Sequence, residues 1–253
     1  MNKPLVSIIS PNFNGSSFIT TTYQSIKNQT ETRWEWVIID DKSTDDSREL
    51  IEKLAEKDSR ISPIFLEFNQ GAAVARNSGL DASNSEYIAF LDIDDKWEKE
   101  KLEISLKYMI STKSDFTYTN YRKIKNSSIG NEIIKTPSEI YYEDLLKTCH
   151  ICTSTVLIRR EAVGTIRMEN ELRRGQDYVF WLELLRKVQN ATRASEKPLT
   201  RYSVGPNSLS SNKFRKAYFQ WIIYRRYLKL SLYKSFYYFI HYAIHGLSKF
   251  NKF

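Results

Sequence analysis

The sequence predicts an α/β protein built on a doubly wound, largely parallel sheet with helices on both faces. Three observations support this fold class. Short apolar runs alternate with amphipathic segments between residues 5 and 119, and the connections between them are short. The run at 87–91 (YIAFL) is almost wholly apolar, as is typical of a strand buried on both faces. The length of 253 residues suits one large domain with a substantial core.

The spacing of apolar residues along the chain predicts the following strands and helices. Strands are predicted at 5–9, 35–39, 61–66, 87–91, 115–119, 153–158 and 198–204. Helices are predicted at 18–27, 43–57, 72–82, 96–110, 139–147 and 178–188. Pro11 ends the first strand because proline cannot donate to a central ladder. In residues 121–137 the apolar residues follow neither the helical nor the strand period, so this segment is predicted to form a polar loop. The α/β domain is therefore predicted to occupy residues 1–210, followed by a tail at 211–253.

Charge is unevenly distributed along the chain. Residues 197–253 contain 11 Lys and Arg and no Asp or Glu, whereas the remaining 27 basic and 30 acidic residues give residues 1–196 a net charge of −3. The N-terminus resembles no signal peptide, and no stretch reaches the ~20 uncharged apolar residues that a spanning helix needs. Cys149 and Cys152 are predicted to be reduced thiols, with a redox pair or half of a zinc site as alternatives.

The tail combines aromatic and basic residues at helical spacing. Residues 213–253 contain 14 aromatics and nine Lys or Arg, and one predicted helical face carries Ala217, Trp221, Tyr224 and Leu228. This composition favours a helix in a membrane interface, where each cation near anionic lipid contributes about 1 kcal/mol. A helical cover on the α/β domain or on a second copy in a homodimer is the main alternative. Nucleic-acid binding has no supporting motif, so it is not expected.

Three carboxylates directly follow the fourth predicted strand, at Asp92, Asp94 and Asp95. Ligands of open α/β sheets bind at the carboxyl ends of strands, and crowded acids repel one another unless a cation or a donor lies between them. A hard divalent ion bound by one or two carboxylates and by substrate phosphates would relieve this repulsion. The alternative is a solvated loop that caps the next helix.

Further polar residues are expected at the same edge. Asp40 and Asp41 end the second strand, and Arg76 lies early in the helix after the third. A guanidinium there suits a phosphate or a nucleobase, and an ion pair with a neighbouring aspartate is as reasonable. No G-x-G-x-x-G and no Walker-type Gly-Lys-Ser/Thr occurs, which disfavours a dinucleotide or P-loop site.

Six motifs occur in a fixed order along the chain. They are SIISPNFNG at 7–15, VIIDDKSTDDS at 37–47, NQGAAVARNSGL at 69–80, FLDIDDKW at 90–97, TSTVLIRRE at 153–161 and GQDYVFWLELL at 175–185. In order and spacing they resemble the family 2 glycosyltransferases of the GT-A fold, in the group that builds bacterial surface polysaccharides such as O-antigen and capsule.

The resemblance implies a role for each matching position. The segment around Pro11 and Phe13, with Asp41, would hold the base and ribose of a nucleotide-sugar, commonly a uridine, and Asp40 would support it. The nucleotide-binding positions implied are Pro11, Phe13, Asp40, Asp41, Arg76 and Asp92. Asp94, with Asp95 nearby, would hold Mn²⁺ or Mg²⁺. Asp177 matches the catalytic base, and the acceptor side would include Thr153, Ser154 and Gln176.

The function implied is inverting, metal-dependent sugar transfer from a nucleotide-sugar, commonly a UDP-sugar, to a polyprenyl-diphosphate-linked sugar, on the cytoplasmic membrane face. Transfer to polyprenyl phosphate itself is one alternative, and a catalytically silent nucleotide-sugar binder or scaffold is another. Two positions depart from the family pattern, which usually has Glu where this chain has Gln176 and Gly where it has Lys42. N-capping of the next helix is the structural alternative for Asp177.

Overall fold

The computed structural model describes residues 3–125, 128–204 and 213–248. The strands in these residues are β1 (Val6–Asn12), β2 (Trp34–Asp40), β3 (Ile61–Phe65), β4 (Tyr87–Phe90), β5 (Lys96–Trp97), β6 (Phe116–Lys125), β7 (Ser128–Ile134), β8 (Glu139–Ile140), β9 (Leu157–Arg159) and β10 (Ala191–Val204). The α-helices are α1 (Ser16–Lys27), α2 (Ser47–Lys57), α3 (Ala72–Ala82), α4 (Lys101–Thr112), α5 (Tyr142–Lys147), α6 (Arg160–Val163), α7 (Gln176–Lys187), α8 (Lys213–Ile222) and α9 (Leu232–Ser248).

One sheet runs through the described residues in the order β3-β2-β1-β4-β9-β6-β10-β5, with β7 on β6 and β8 on β10. The first four strands are mutually parallel. Strand β9 is antiparallel to both β4 and β6, so β6 and its parallel neighbour β10 run in the same direction as β4. The carboxyl ends of six strands therefore meet at one edge, which confirms a largely parallel sheet.

Two cores cover the two faces of this sheet. Neighbouring residues of a strand point to opposite faces, and Ile8 and Ile9 accordingly belong to different buried clusters. Helices α1, α2 and α4 cover the first face, through residues such as Leu102. Helices α3, α5 and α7 cover the second, where the Trp181 ring lies 5.4 Å from Phe116 and 5.9 Å from Phe90. Full burial of each such side chain contributes about 1.5–3 kcal/mol, which anchors α7 on the sheet.

A close approach of α3 to the sheet requires glycine at residue 79. A Cβ built there would lie 2.5 Å from Cγ2 of Ile9 and 2.9 Å from Cδ1 of Ile39. Because neither branched side chain can withdraw from a close-packed core, a larger residue would push α3 outward. Gly79 thereby fixes the distance between the sheet and the helix that carries Arg76.

Three predicted elements differ from those observed. The polar loop predicted at 121–137 is largely strand, because β6 continues to Lys125 and pairs with β7 and with the distant β10. The helix predicted from residue 96 begins at Lys101, since Lys96–Trp97 pairs with β10 instead. The strand predicted at 153–158 is shorter, because Thr153–Thr155 form a 3-10 turn.

The tail packs on the α/β domain through the helical face that the membrane prediction singled out. Tyr224 and Leu228 are buried, and Oη of Tyr224 donates a hydrogen bond to the carbonyl of Leu146 at 2.5 Å. Trp221 packs edge-to-face on Phe239 of α9. Tyr224 and Leu228 are therefore not available to a membrane, and membrane association of the tail stays a prediction. Most of the exposed apolar side chains of the described tail lie on the outer side of α9, and Tyr218 of α8 is also exposed. Within the described residues, none of the helices combines the length and hydropathy that crossing a bilayer would need.

Candidate active site

The predicted aspartates lie along the carboxyl edge of the sheet. Asp40 is the last residue of β2, and Asp92 follows β4 closely. Strand β1 is the neighbour of both β2 and β4, so a single strand separates the two acidic groups. The structure thus brings together at one edge the residues that the sequence predicted to share it.

Asp40 and Asp41 organise the loops on the β1–β3 side of this edge. Oδ1 of Asp40 accepts hydrogen bonds from the side chains of Asn12 (2.7 Å) and Ser43 (2.5 Å). The two carboxylate oxygens of Asp41 accept the backbone N–H groups of Gln70 and Gly71, both at 2.7 Å. Each Asp41 oxygen has a second lone pair, which leaves one acceptor site on each for a ligand.

Backbone geometry in these loops explains one departure from the family pattern. Gly71 has φ of +91° and Lys42 has φ of +63°. The left-handed region favours glycine, so Lys42 adopts a conformation that a glycine would adopt without strain. Holding a lysine there costs of order 1–2 kcal/mol. The turn after Asp41 is therefore kept despite the substitution.

Pro11 and Phe13 lie at the end of β1, beside these loops. Pro11 is in register with Ile39 of β2, and the carbonyl of the intervening Asn12 accepts the N–H of Asp41 at 2.8 Å. The side chain of Phe13 is 52% exposed. It is therefore available to a ligand at this end of the sheet.

Arg76 forms the ion pair that the sequence left open as an alternative. Its Nη2 lies 2.5 Å from Oδ1 of Asp92, while its Nε is buried without a hydrogen-bond partner in the described residues. Burial opposes the charge of Arg76, but the charges of Asp92, Asp177 and Asp95 outweigh it and raise the pKa of the guanidinium. Three carboxylates thus surround one buried cation. The unpaired Nε leaves a donor for a ligand.

Asp94 and Asp95 have different environments. Burial, followed by the charge of Asp92, raises the pKa of Asp94 to about 6. Among the described residues, no other residue donates a hydrogen bond to the Asp94 carboxylate. Asp95 is fully buried, and its carboxylate accepts hydrogen bonds from Oγ of Ser154 (2.5 Å) and from the backbone N–H of Ser203 (2.8 Å). This geometry favours a positioning role for Asp95.

The donor set at this edge fits a divalent cation that binds largely through its substrate. The described residues contain no cluster of three or more His, Cys, Asp or Glu that would hold a metal ion unaided. Mg²⁺ is commonly bound by one or two carboxylates, with substrate phosphates and water completing the shell. Asp94 supplies one such carboxylate, and the repulsion from Asp92 that raises its pKa is what a cation would relieve.

Asp177 begins α7 and is held by a neighbouring hydroxyl. Oγ1 of Thr153 donates to Oδ2 of Asp177 at 2.8 Å, and the N–H of Tyr178 donates to Oδ1 at 2.8 Å. A carboxylate that accepts two hydrogen bonds has a fixed orientation, as a general base requires. Oε1 of the adjacent Gln176 is buried without a hydrogen-bond partner among the described residues.

Thr153 and Ser154, which were predicted to face the acceptor, act on the carboxylates. Ser154 is fully buried, accepts the N–H of Asp92 at 3.1 Å and donates to Asp95. Contact with an acceptor remains a prediction for both, and their observed bonds are those of positioning residues. Ser203 was missed by the sequence reasoning, because its approach to Asp95 depends on pairing between strands far apart in the chain. Cys149 and Cys152 are not joined in a disulfide bond.

Comparisons with known proteins agree with this architecture. Residues 7–167 match the model of the family described as Glycosyl transferase family 2. A Bacillus subtilis protein named as a teichuronic acid biosynthesis glycosyltransferase, TuaG, is 39% identical over 248 residues, which cover 98% of each chain. The Escherichia coli UDP-Glc:alpha-D-GlcNAc-diphosphoundecaprenol beta-1,3-glucosyltransferase WfgD is 33% identical over 98% of this chain and 96% of its own.

Solved structures show the same fold. Residues 1–349 of S. aureus TarS in complex with UDP-GlcNAc superpose with a TM-score of 0.71 at 21% identity, over 87% of this chain and 66% of that one. A mannosyltransferase of Pyrobaculum calidifontis with GDP-Man and Mn²⁺ has a TM-score of 0.69 at 15% identity, over 91% and 66%. These neighbours are GT-A glycosyltransferases. With the family match and the relatives above, the chain belongs to glycosyl transferase family 2 and is an inverting glycosyltransferase of the GT-A fold.

Proposed function

We propose that the protein transfers a sugar from a UDP-sugar to the sugar of a polyprenyl-diphosphate-linked acceptor during synthesis of a bacterial surface polysaccharide. The observation that carries the proposal is the buried guanidinium of Arg76 at the carboxyl edge, which is paired with Asp92 and feels the charges of Asp177 and Asp95. The names of the relatives supply the substrate class, because WfgD is named for a UDP-glucose donor and a diphosphoundecaprenol acceptor.

The donor nucleotide would bind on the β1–β3 side of the edge. The free lone pairs of Asp41 can accept from the base N–H or a ribose hydroxyl, and the exposed ring of Phe13 offers a stacking surface. Asp92 would accept from the ribose, and Arg76, through its unpaired Nε, would reach the nucleotide. Asp40 keeps Asn12 and Ser43, and with them this loop, in place.

Sugar transfer needs a general base on one side of the anomeric carbon. On the other side it needs groups that stabilise the negative charge of the leaving diphosphate. Asp177, held by Thr153, would take the proton from the acceptor hydroxyl as its oxygen bonds to the anomeric carbon. The bond from that carbon to the diphosphate oxygen breaks, and the bonding electrons leave with UDP. A single in-line displacement inverts the anomeric centre and needs no second carboxylate as nucleophile.

A divalent cation, Mn²⁺ or Mg²⁺, would be held by Asp94 together with oxygens of the diphosphate. When bound, it supplies Lewis-acid stabilisation of the negative charge that develops on the leaving group. The buried charge of Arg76 acts in the same direction from the protein itself. Asp95 would keep the Asp92–Asp95 turn in shape through Ser154 and Ser203 rather than bind the ion.

Membrane association would occur through the outer side of α9, at the inner face of the cell membrane. Tyr233 is 82% exposed and Phe236 is 61% exposed, and Ile240 and Ile244 continue the same side at intervals of four residues. Lys229 and Lys234 flank this stripe, and residues 197–253 contain no acid. Aromatic and apolar side chains beside lysines suit an anionic lipid surface, and WfgD acts on a lipid-linked acceptor.

Vesicle sedimentation tests this association. Binding to vesicles that contain anionic phosphatidylglycerol should exceed binding to neutral phosphatidylcholine, and Phe236→Ser with Ile240→Ser should abolish it without loss of folding. Concentration-dependent dimerisation that the same double variant removes would instead identify α9 as an interface between two copies.

The activity itself is tested by a screen of nucleotide-sugars. Release of nucleoside diphosphate is measured with and without Mn²⁺, with a synthetic GlcNAc-diphosphate that carries an undecyl chain as acceptor. Metal-dependent UDP release that needs the acceptor supports the proposal. An Asp177→Asn variant with full activity on polyprenyl phosphate would favour that acceptor, because it arrives ionised and needs no base. Donor binding without turnover on any acceptor would identify a silent binder.

A further inference from the structure

Two tyrosines from neighbouring parallel strands meet at the carboxyl edge, outside the set of residues assigned above. Tyr121 lies on β6 and Tyr202 on β10, and their rings pack edge-to-face with centroids 5.8 Å apart and planes at 71°. Ile158 of β9 is in register with both Ile88 of β4 and Phe116 of β6, so Tyr121, five residues beyond Phe116, lies level with the acidic turn that follows β4.

Hydrogen bonds of the neighbouring residues place Tyr202 against the catalytic carboxylates. Oγ1 of Thr200 donates to the carbonyl of Ser154, and Tyr202 shares a strand face with Thr200 because side chains alternate. The next residue, Ser203, donates its backbone N–H to Asp95 and its Oγ to the carbonyl of Asp94 (2.5 Å).

Electrostatics agree with this placement. Burial, followed by the charges of Cys152 and of Asp95, Asp92 and Asp94, raises the pKa of the Tyr202 hydroxyl. Burial and then the charge of Cys152 do the same for Tyr121. Cys152 itself precedes Thr153, the partner of Asp177. Both rings therefore line a wall that continues from the acidic turn towards the base.

The two hydroxyls are unused within the described part of the chain. No hydrogen bond from residues 3–125, 128–204 or 213–248 reaches either phenolic oxygen, although both side chains are largely covered. Other covered tyrosines of this fold do have partners: Tyr118, Tyr178 and Tyr224 each donate to a backbone carbonyl. Neither phenolic oxygen of Tyr121 and Tyr202 is among the buried polar atoms without a partner, so both are open to solvent and can donate to or accept from a ligand at this edge.

We propose that Tyr121 and Tyr202 form the subsite that binds the acceptor sugar and presents its hydroxyl to Asp177. Two rings set at a steep angle make a corner in which a sugar can lie on one aromatic face while its hydroxyls bond both phenols. The β1–β3 side of the edge is taken by the donor nucleotide, so the acceptor must enter from the β6–β10 side. This inference rests on the proposed function, since it assigns the acceptor half of the same site.

Kinetics of three variants test the subsite with the synthetic GlcNAc-diphosphate-undecyl acceptor. Tyr202→Phe and Tyr121→Phe remove only the hydroxyls and should raise the acceptor KM about tenfold each, as expected for loss of one hydrogen bond to a substrate hydroxyl. Tyr202→Ala removes the ring and should raise it further. The donor KM and the affinity for UDP should not change in any of them. Tyr108→Phe, near the far end of α4, is the matched control and should leave all constants unchanged.

A binding measurement keeps this inference separate from the proposed function. Saturation-transfer NMR on the acceptor sugar protons needs no turnover and should show transfer that Tyr202→Ala removes. If the wild type transfers no sugar from any donor to this acceptor, the proposed function fails, and the NMR result still decides the subsite. Wild-type turnover with an unchanged acceptor KM in all three variants, or unchanged saturation transfer in Tyr202→Ala, overturns the assignment.

Discussion

Replacing Lys101 with methionine should stabilise the protein at neutral pH and destabilise it at alkaline pH. Lys101 is fully buried at the start of α4. Its Nζ donates to the carbonyl of Val156 at 2.9 Å and lies 4.0 Å from the centroid of the Trp97 ring. Desolvation by burial, which no acidic partner offsets, lowers the pKa of this amine from its ordinary value of 10.5 to about 7.

The size of the effect follows from this shift. Between the two pKa values, the unfolded chain binds a proton that the folded chain does not, so the free energy of unfolding rises with pH by about 1.4 kcal/mol per pH unit. Below pH 7 both states are protonated, and burial of the charge costs the folded state its full penalty of about 5 kcal/mol. Above pH 10.5 the penalty has disappeared.

Methionine fills a similar volume and carries no charge, but it leaves the Val156 carbonyl without its donor. That loss costs about 1–3 kcal/mol at every pH. Near pH 7 the variant should therefore be more stable than the wild type by about 2–4 kcal/mol, after the desolvation penalty is set against the lost hydrogen bond. The two stabilities should become equal between about pH 8.3 and 9.8, where the remaining penalty equals that loss.

Urea denaturation of both proteins between pH 6.5 and 9.5 measures this difference, and other titrating groups cancel when the two free energies are subtracted. Lys107→Met, on an exposed turn of the same helix, is the control and should give a small difference that does not depend on pH. A difference between wild type and Lys101→Met that stays constant over this range would refute the reasoning, because the amine would then carry the same charge in both states.

Three further substitutions test the carboxyl edge. Asp177→Asn should lower kcat by about 10²–10⁴-fold with donor affinity unchanged, as measured by steady-state kinetics and calorimetry with UDP; an equal loss of UDP affinity would place Asp177 in donor binding. Arg76→Lys should lower kcat/KM by about tenfold or more, because lysine replaces a planar fork with a point charge; an unchanged value would make the Asp92 ion pair purely structural. Asp41→Asn puts an amide donor against a backbone N–H and should lower unfolding free energy by about 1–3 kcal/mol and weaken UDP binding; unchanged UDP affinity would exclude Asp41 from the nucleotide site.

The first half of the fold could be predicted from local pattern. Runs such as Tyr87–Phe90 are short, apolar and bounded by turn residues, so each strand is recognisable without its neighbours. The carboxyl ends of parallel strands share one edge of the sheet, so strand direction alone predicts that Asp41 and Asp92 lie close together. The family motifs added Asp177, which no local pattern distinguishes from a helix cap.

The second half could not be predicted in the same way, because its strands depend on partners far along the chain. The second part of β6 carries Arg122, Lys123 and Lys125 rather than an alternating apolar pattern. It is held by β10, whose paired residues come about 75 to 79 positions later in the chain. Lys96–Trp97 follows the helix pattern locally, yet pairing with Thr200 and Arg201 makes it a strand. Tertiary pairing overrides a weak local signal in both places.

Ser154 connects the acidic turn after β4 with β5 and β10 through four hydrogen bonds. Its Oγ accepts the N–H of Asp92 and donates to Asp95, while its carbonyl accepts from Trp97 Nε1 at 2.7 Å and from Thr200. The preceding residue, Thr153, holds Asp177. In the proposed mechanism, the turn that would face the leaving diphosphate and the base that would face the acceptor are therefore attached to adjacent residues of one buried 3-10 turn. Because adjacent residues cannot move apart, any shift of the turn changes both ends of the reaction path together, and the distance between base and leaving group is kept constant.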